Sequence, residues 1–523
     1  LKILHSREKV NFMITSEVVE DYKSLIIPYW TGHTHRDRML SAMSDDWMEA
    51  YRAGIFTEFQ EQRAPGHTVL GKKMWGLGMK DLIAQIDYEL SQLDDYNDKN
   101  SLLKREELKA MQIAAEALIL YAKRYQTLLE EIASNTEDQE LKNEILNCAE
   151  VCGKVPANAP TTFHEALQHY WFIHLAVINE LNPWDSFNPG HLDQHLLPFY
   201  LREKEGVTSE IFTELLSCFW IKFNNHPAPP KVGITALESN TYTDFSLINV
   251  GGVKEDGSDA VNEMTYMILD VIKKMRLLQP SSMVQISKKN PDQLIHKALN
   301  IIETGFGQPS LFNTDAIVQE LMRQGKTPQD ARNGGASGCV EAGAFGTEAY
   351  ILTGYFNLPK ILEITLHNGI DPRTQKRIGI ETGAPDTFRT FNDFYHAFEK
   401  QLKHFIDIKI KGSNIIEQLF STYLPVPFLS LLIDDCISNG LDYNSGGARY
   451  NSNYIQGVGL GTITDSLTAI NQLIYQKKKI SFSQFISALQ TDFNHSDDLR
   501  LELIYETPKW GNDQDEADCF AIK

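Results

Sequence analysis

One cysteine and one glutamate, two residues apart, carry the chemistry that this sequence offers most clearly. Cys339 and Glu341 lie in the segment SGCVE, with further glycines on both sides of it. Residues two apart in an extended segment point to the same face, so the thiol and the carboxylate are expected on one side. The flanking glycines predict that the segment stands as a tight loop tip.

This pair is badly suited to ordinary nucleophilic catalysis. A neighbouring carboxylate raises the pKa of a thiol, whereas a nucleophilic cysteine needs its pKa lowered by a histidine or another cation. The pair suits chemistry in which the sulfur of Cys339 carries a hydrogen atom and the carboxylate of Glu341 moves a proton. A cysteine hydrolase, with a histidine next to Cys339, is the rival enzyme class.

Two motifs that resemble metal sites are better explained by packing. His164, Glu165 and His169 form HExxxH rather than HExxH, and a five-residue step places the two histidines on different helix faces. Cys148 and Cys152 are one helical turn apart, but a third cysteine for an iron–sulfur cluster is missing. We therefore predict a packed histidine helix, buried thiols and no metal site.

Charge and composition exclude several classes of partner. The formal net charge is −20, from 49 basic and 69 acidic residues, which disfavours nucleic acid and anionic membrane surfaces as partners. The most apolar stretch, residues 426–433, is far shorter than the ~20 residues of a membrane-spanning helix. Six scattered cysteines and the lack of an apolar signal core predict free thiols in a reducing cytoplasm.

Hydrophobic spacing predicts a helical first third followed by alternating strands and helices. An apolar helix face is formed by Leu108, Met111, Ala115, Leu118, Ala122, Tyr125 and Leu129. A second helix is predicted after Pro160, where Thr162 and Glu165 fit a capping box.

From residue 244 onward, the stretches FSLINVGGV, MVQIS and SLFN read as strands with helices between them. Such alternation implies parallel pairing and an α/β fold. The glycine-rich stretches NGGASGCVEAGAFG and GGARYNSNYIQGVGLG interrupt the rhythm and predict two loops whose backbone approaches something closely.

Several long fragments together resemble the glycyl radical enzymes. They are SGCVEAGAFGTEAYILTGYFNLPKILEITLHNG, GGARYNSNYIQGVGLGTITDSLTAI, GQPSLFNTD, RAPGHT, TFHEALQHYWF and WDSFNPGHLDQ. The resemblance covers nearly the whole chain. The resemblance implies a ten-stranded α/β barrel, with the cysteine on a central hairpin and a helical N-terminal part around it. It also implies one catalytic domain over residues 1–523, incomplete at both ends, with 1–180 mainly helical, 181–523 as barrel core and the cysteine loop at 334–346.

Details of the loop indicate a branch of this family. Gly338 precedes Cys339 where the formate-acetyltransferase branch has two adjacent cysteines, so GCVE looks like the dehydratase and lyase branch. WDSFNPG together with EAYILTGY most resembles the enzymes that remove water from trans-4-hydroxy-L-proline to give pyrroline-5-carboxylate. Glycerol and propane-1,2-diol dehydratases and related C–N and C–S lyases share the loop and are the alternatives within the family.

The resemblance implies a catalytic group of four residues. Cys339 would exchange hydrogen atoms with the substrate, and Glu341 would serve the ring amine. His67 and Asp185 match pocket positions and would protonate the leaving hydroxyl, although the two carboxylates could exchange roles. The structural alternatives to these roles are a buried thiol for Cys339 and a structural polar pair for His67 and Asp185.

The resemblance also implies four substrate-binding residues. Ser239 would anchor the substrate carboxylate, while Phe245, Tyr355 and Phe59 would pack against the ring. Core packing is the alternative for each of the three aromatic residues, and without the resemblance it would be the better interpretation.

The radical itself is expected to come from outside these 523 residues. The family's RVxGY-like glycine segment does not occur in this sequence, so we expect the radical glycine on a part of the protein beyond it. The resemblance implies no bound cofactor, an activating enzyme that uses S-adenosylmethionine, and a homodimer. A non-catalytic barrel protein that has lost the radical loop is the alternative outside enzymology.

Overall fold

The computed structural model describes residues 5–6, 13–57, 68–181, 187–225, 227–228, 242–243, 246–338 and 340–523. The chain divides into two compact units. Unit 1 comprises Leu1–Trp30, Arg63–Ile351 and Phe420–Ser452, and unit 2 comprises Thr31–Gln62, Leu352–Leu419 and Asn453–Lys523. The division of the chain at residue 180 stays a prediction.

Most of the described residues with regular structure are helical. The α-helices are α1 Ser16–Asp21, α2 Ile27–Trp30, α3 His35–Ala42, α4 Asp45–Ala53, α5 Met79–Gln92, α6 Ser101–Ser134, α7 Gln139–Lys154, α8 Phe163–Glu180, α9 Leu192–Glu203, α10 Ser209–Asn224, α11 Glu263–Met275, α12 Asp292–Ile302, α13 Thr314–Arg323, α14 Pro328–Arg332, α15 Leu358–Leu366, α16 Phe391–Tyr423, α17 Pro427–Leu432, α18 Cys436–Asn439, α19 Leu460–Ile470, α20 Phe482–Gln490, α21 Asp497–Tyr505 and α22 Asp515–Ile522.

Short 3₁₀ segments cover Lys72–Trp75, Pro385–Thr387 and Tyr443–Ser445, and π-helical segments cover Tyr22–Ile26 and Asn471–Gln476. Among the described residues, no helix combines the length and the apolar character needed to cross a membrane.

The described strands form four small sheets. They are β1 Pro227–Ala228, β2 Tyr242–Thr243, β3 Leu247–Gly251, β4 Ser281–Ile286, β5 Ser310–Asn313, β6 Gly334–Ser337, β7 Glu341–Ala344, β8 Glu348–Asn357 and β9 Tyr450–Val458. Strands β1 and β2 pair, as do β6 with β7 and β8 with β9, while β3, β4 and β5 form a three-stranded sheet in that order.

The three-stranded sheet is parallel, with helices α11 and α12 on the connections between its strands. This arrangement confirms the α/β class and the strands predicted from FSLINVGGV, MVQIS and SLFN. One sheet face carries Ile248, Val250 and Val284 into the main core of unit 1. The opposite face carries Leu247 and Met283, which pack against Ala336 of β6. Closure into ten strands stays a prediction.

The helical predictions for the first third are confirmed. In α6 the predicted apolar positions Leu108, Met111 and Ala115 are buried. At the start of α8, Thr162 Oγ1 accepts a hydrogen bond from Glu165 N at 3.2 Å and Glu165 Oε2 accepts one from Thr162 N at 3.2 Å, which is the predicted capping box. His169 is buried in this helix, with its Nε2 2.9 Å from the Met74 carbonyl oxygen, so packing explains HExxxH.

The glycine-rich loop predictions are half right. The first stretch forms the hairpin β6–β7, in which Ser337 pairs with Glu341, so the loop tip is confirmed. The segment does not stay extended, because Gly338 has a φ of 58° and turns the chain. The second stretch was predicted to be a loop, but most of it is strand β9.

Unit 2 has its own apolar core. Helices α3, α4, α15, α19, α20 and α22 and most of α16 belong to it. Its buried residues include Trp47, Phe56, Phe356, Phe394 and Phe405. Aromatic contacts such as Trp47 with Phe56, at 5.3 Å between ring centroids, fill this core.

Candidate active site

The hairpin β6–β7 carries the cysteine loop on its tip, and Glu341 is the first residue of the returning strand. Glu341 is buried, with 6% of its surface exposed, and its Oε2 accepts a hydrogen bond from the backbone N–H of Val340 at 3.0 Å. Glu341 therefore lies inside the fold where β7 begins, and its catalytic role stays a prediction.

The structure describes two of the eight residues predicted for the site. Tyr355 lies on β8 in unit 2, where its backbone N–H donates to Thr57 Oγ1 at 3.1 Å and its carbonyl accepts from Thr57 N at 3.0 Å. Glu341 belongs to unit 1. The other six lie outside the described residues: Cys339, His67, Asp185, Ser239, Phe245 and Phe59. Their roles stay predictions.

Two buried amide side chains hold the outgoing strand of the hairpin. Asn249 Nδ2 donates to the Ala336 carbonyl at 3.0 Å. Gln285 Nε2 donates to Asn249 Oδ1 at 3.1 Å and to the Gly334 carbonyl at 3.3 Å. Asn249 and Gln285 are fully buried. The sequence analysis did not identify these two residues. Each is a polar residue inside an apolar strand, LINVG or SSMVQI, and such a position indicates a buried side chain that needs a hydrogen-bond partner.

A buried ion pair holds the other side of the hairpin. Glu348 Oε2 accepts a hydrogen bond from the Ala344 N–H at 2.8 Å. Its Oε1 lies 2.9 Å from Lys326 Nζ and also accepts a hydrogen bond from Ser452 Oγ. The side chains of Lys326 and Glu348 are 3% and 0% exposed, so the two charges neutralise each other away from water.

The glycines of the hairpin are required by close packing. A Cβ atom on Gly335 would lie 2.1 Å from Gln285 Nε2, and one on Gly343 would lie 2.0 Å from the Tyr350 ring. Either contact is far below van der Waals separation, so a larger residue would displace the hairpin. The glycine-rich composition therefore lets both faces of the hairpin contact their neighbours directly.

Two buried titratable residues, His191 and Asp193, bind strand β3. His191 pairs through its backbone with Asn249 and its ring lies 4.9 Å from that of Phe345. Burial lowers the pKa of His191 to about 4, so it is neutral at pH 7. Burial raises the pKa of Asp193 to about 6, although Thr265 Oγ1 and Gly251 N donate to its carboxylate.

Among the residues that the structure describes, no group of three or more His, Cys, Asp or Glu side chains is arranged to hold an ion. The five described cysteines are free thiols.

The fold and the hairpin define the class of protein. The chain matches the pyruvate formate lyase-like family over residues 1–523 and belongs to this family of glycyl radical enzymes. It is 51% identical over 520 residues to trans-4-hydroxy-L-proline dehydratase from Clostridioides difficile, covering 99% of this chain and 66% of that protein. It is 30% identical over 533 residues to (2S)-3-sulfopropanediol dehydratase from Klebsiella oxytoca, covering 99% of this chain and 64% of that protein.

Solved structures give the same picture. The crystal structure of hydroxyproline dehydratase from Clostridioides difficile, with trans-4-hydroxy-L-proline bound, is 50% identical and superposes with a TM-score of 0.94, covering 99% of this chain and 66% of that one. The glycerol-bound glycerol dehydratase from Clostridium butyricum is 32% identical, with a TM-score of 0.91 and coverages of 99% and 65%. The chain thus spans just under two thirds of the length of these relatives.

Proposed function

We propose that the intact protein is a glycyl radical hydro-lyase that converts trans-4-hydroxy-L-proline to pyrroline-5-carboxylate and water. The observation that carries this proposal is the similarity to hydroxyproline dehydratase, 51% in sequence against 30% for the sulfopropanediol enzyme. The buried Glu341 at the foot of the cysteine loop supports it, because the reaction needs a carboxylate beside the hydrogen-carrying thiol.

In this proposal a glycyl radical, installed by an activating enzyme that uses S-adenosylmethionine, supplies the unpaired electron. Cys339 gives up its hydrogen atom and then takes one from C5 of the substrate, next to the ring nitrogen. Glu341 accepts the proton of the ring amine while His67 and Asp185 protonate the 4-hydroxyl, which leaves as water. Cys339 returns its hydrogen atom to C4, which completes pyrroline-5-carboxylate and restores the thiyl.

The remaining predicted residues serve binding in this proposal. Ser239 donates to the substrate carboxylate, and Phe245, Tyr355 and Phe59 line a slot for the five-membered ring. Leaving any one of the polar partners unpaired would cost on the order of 1–3 kcal/mol. Glycerol and propane-1,2-diol lack both the ring and the carboxylate, so this set of partners disfavours them. We also propose a cytoplasmic homodimer as the working form.

The test is turnover by the activated, anaerobic, intact protein. We expect pyrroline-5-carboxylate, detected with o-aminobenzaldehyde, from trans-4-hydroxy-L-proline and no aldehyde from glycerol or propane-1,2-diol. Aldehyde without the pyrroline would contradict the substrate and leave the radical mechanism standing.

Cys339→Ser separates the mechanism from the substrate. An oxygen–hydrogen bond is too strong for a glycyl radical to break, so the variant should lose turnover while it keeps the glycyl signal in electron paramagnetic resonance. Dehydration by the serine variant would exclude Cys339 as the hydrogen carrier.

A further inference from the structure

We propose that Asn249 and Gln285 are positioning residues that set the place of the hairpin carrying Cys339, and thereby the rate of hydrogen-atom transfer. The proposal rests on the proposed function, because it concerns the same cysteine. It assigns a role to two buried amides that are not among the eight residues of the proposed site.

The first observation is the outer edge of β6. The carbonyl groups of Gly334 and Ala336 are two residues apart, so they point to the same side of the strand. Within the described part of the chain, β6 pairs with β7 and with no other strand. The two carbonyls accept hydrogen bonds from Gln285 and Asn249 instead. Side-chain amides thus satisfy the edge that a third strand would otherwise cover.

The second observation is the continuity of this amide chain. Gln285 uses both amide hydrogens, one on Asn249 Oδ1 and one on the Gly334 carbonyl, and its Oε1 accepts from Thr314 Oγ1 at 3.3 Å. All three side chains are fully buried. Asn249 lies on β3, Gln285 on β4, and Thr314 directly follows β5. One connected set of hydrogen bonds therefore joins the parallel sheet to the hairpin.

The third observation is the close contact between the Gln285 amide and the backbone of β6. Gln285 Nε2 would be only 2.1 Å from a Cβ on Gly335, so the amide lies directly against the β6 backbone. A shift of the amide is consequently passed on to the hairpin. Hydrogen-atom transfer is sensitive to such shifts, because a misplacement of about 1 Å can cost about 100-fold in rate.

The decisive variant is Asn249→Asp in the intact protein. When the introduced carboxyl is ionised it accepts but does not donate, so the Ala336 carbonyl loses its hydrogen bond and faces a negative charge. A protonated carboxyl can again donate to Ala336 and accept from Gln285. We expect kcat per glycyl radical to fall about tenfold or more at a pH above the pKa of the introduced carboxyl, which burial raises, and to recover relative to the unsubstituted protein as the pH falls below it.

A matched control is Asn444→Asp. Asn444 is also buried in unit 1, and its Nδ2 donates to the Leu424 carbonyl at 2.9 Å rather than to a carbonyl of the hairpin. This variant should lose stability to a similar degree and keep its kcat per radical. The KM of the Asn249→Asp variant should stay within about twofold, because the two amides are not substrate-binding residues in the proposed function.

A spectroscopic measurement separates this proposal from the choice of substrate. If Cys339 exchanges hydrogen with the glycyl radical, the α-hydrogen of that glycine becomes deuterated in D₂O, and its hyperfine splitting collapses without any substrate. We expect this exchange to slow in Asn249→Asp while the number of spins installed stays normal. Exchange that survives Cys339→Ser would refute the proposed function rather than the positioning role.

The result that overturns the proposal is a normal exchange rate and normal kcat per radical in Asn249→Asp, or equal losses in Asn249→Asp and Asn444→Asp. If Asn249→Asp does not fold, Thr314→Val decides, since it removes only the hydroxyl that donates to Gln285 and keeps the side-chain shape. A smaller but measurable drop in exchange rate supports the proposal, and an unchanged rate contradicts it.

Discussion

Strands β6 and β7 pair with each other, yet the groups that hold their outer sides differ in charge. On the β6 side the partners are the neutral amides of Asn249 and Gln285. On the β7 side the partner is Glu348, paired with Lys326. Neutral amides lose one or two hydrogen bonds when they are replaced, whereas an ion pair that loses one member leaves a buried charge. Substitution of a side chain that holds the hairpin should therefore destabilise the fold less on the β6 side than on the β7 side.

The largest effect is expected from Lys326→Met. Glu348 is fully buried, so the substitution removes the ammonium group 2.9 Å from a buried carboxylate, and the free energy of unfolding should fall by about 3–5 kcal/mol. Urea denaturation of the intact protein measures this loss. The control is Lys72→Met, because Lys72 and Glu255 form a largely exposed pair (66% and 43%) worth about 0–1 kcal/mol.

A second measurement tests the cause of that loss. Adding Glu348→Gln to Lys326→Met removes the stranded charge and should restore part of the stability. A double variant as unstable as Lys326→Met alone would mean that packing, not charge, makes the β7 side intolerant.

A smaller effect is expected from Asn249→Leu on the β6 side. The Ala336 carbonyl loses its donor and Gln285 loses an acceptor, but no charge is stranded, so the free energy of unfolding should fall by about 2 kcal/mol. The same urea titration applies. A loss equal to that of Lys326→Met would remove the difference between the two sides.

Acid should weaken the fold through His191, which neighbours the neutral side. The pKa of this histidine in the folded protein is about 4 because of burial, below the unfolded value of 6.5. The unfolded chain therefore binds the proton first, and stability present above pH 6.5 is lost as the pH falls toward 4. The loss attributable to His191 is about 1.4 kcal/mol at pH 5.5.

Chemical denaturation at pH 7 and pH 5.5 measures this loss. His191→Gln should flatten the pH dependence, and His296→Gln, at an exposed position, is the control for replacing a histidine. An unchanged slope in His191→Gln would mean that another group dominates the acid response.

The sequence predicts the parts of this structure that depend on neighbours along the chain. The capping box of Thr162 and Glu165 and the apolar face of α6 depend on spacings of three and four residues, and both are confirmed. The loop tip around Gly338 is likewise local. Strand β9 was misjudged because its glycines were given more weight than Tyr450, Ile455 and Val458, which favour strands.

The anchors of the hairpin could not be predicted, because their partners are distant in sequence. Asn249 bonds a carbonyl 87 residues away, and Ser452 bonds a carboxylate 104 residues away. Spacing identifies Cys339 and Glu341 as a pair, but the other predicted site residues depend on the family resemblance. A lone polar residue in an apolar strand marks a buried partner without saying which one.

The smallest effect is expected from Ser452→Ala, on the charged side. Ser452 is half-buried on β9, and its Oγ donates to the Glu348 oxygen that also faces Lys326. The alanine variant removes one donor but leaves the Lys326 ammonium and the Ala344 N–H in place, so the free energy of unfolding should fall by about 1 kcal/mol. The control is Ser466→Ala on α19, whose hydroxyl donates to the Thr462 carbonyl of its own helix at the surface and should cost little. In the background of Lys326→Met, Ser452 still donates to Glu348, and Ser452→Ala should then cost more than it does alone. Additive losses would contradict the idea that the three groups share one buried charge.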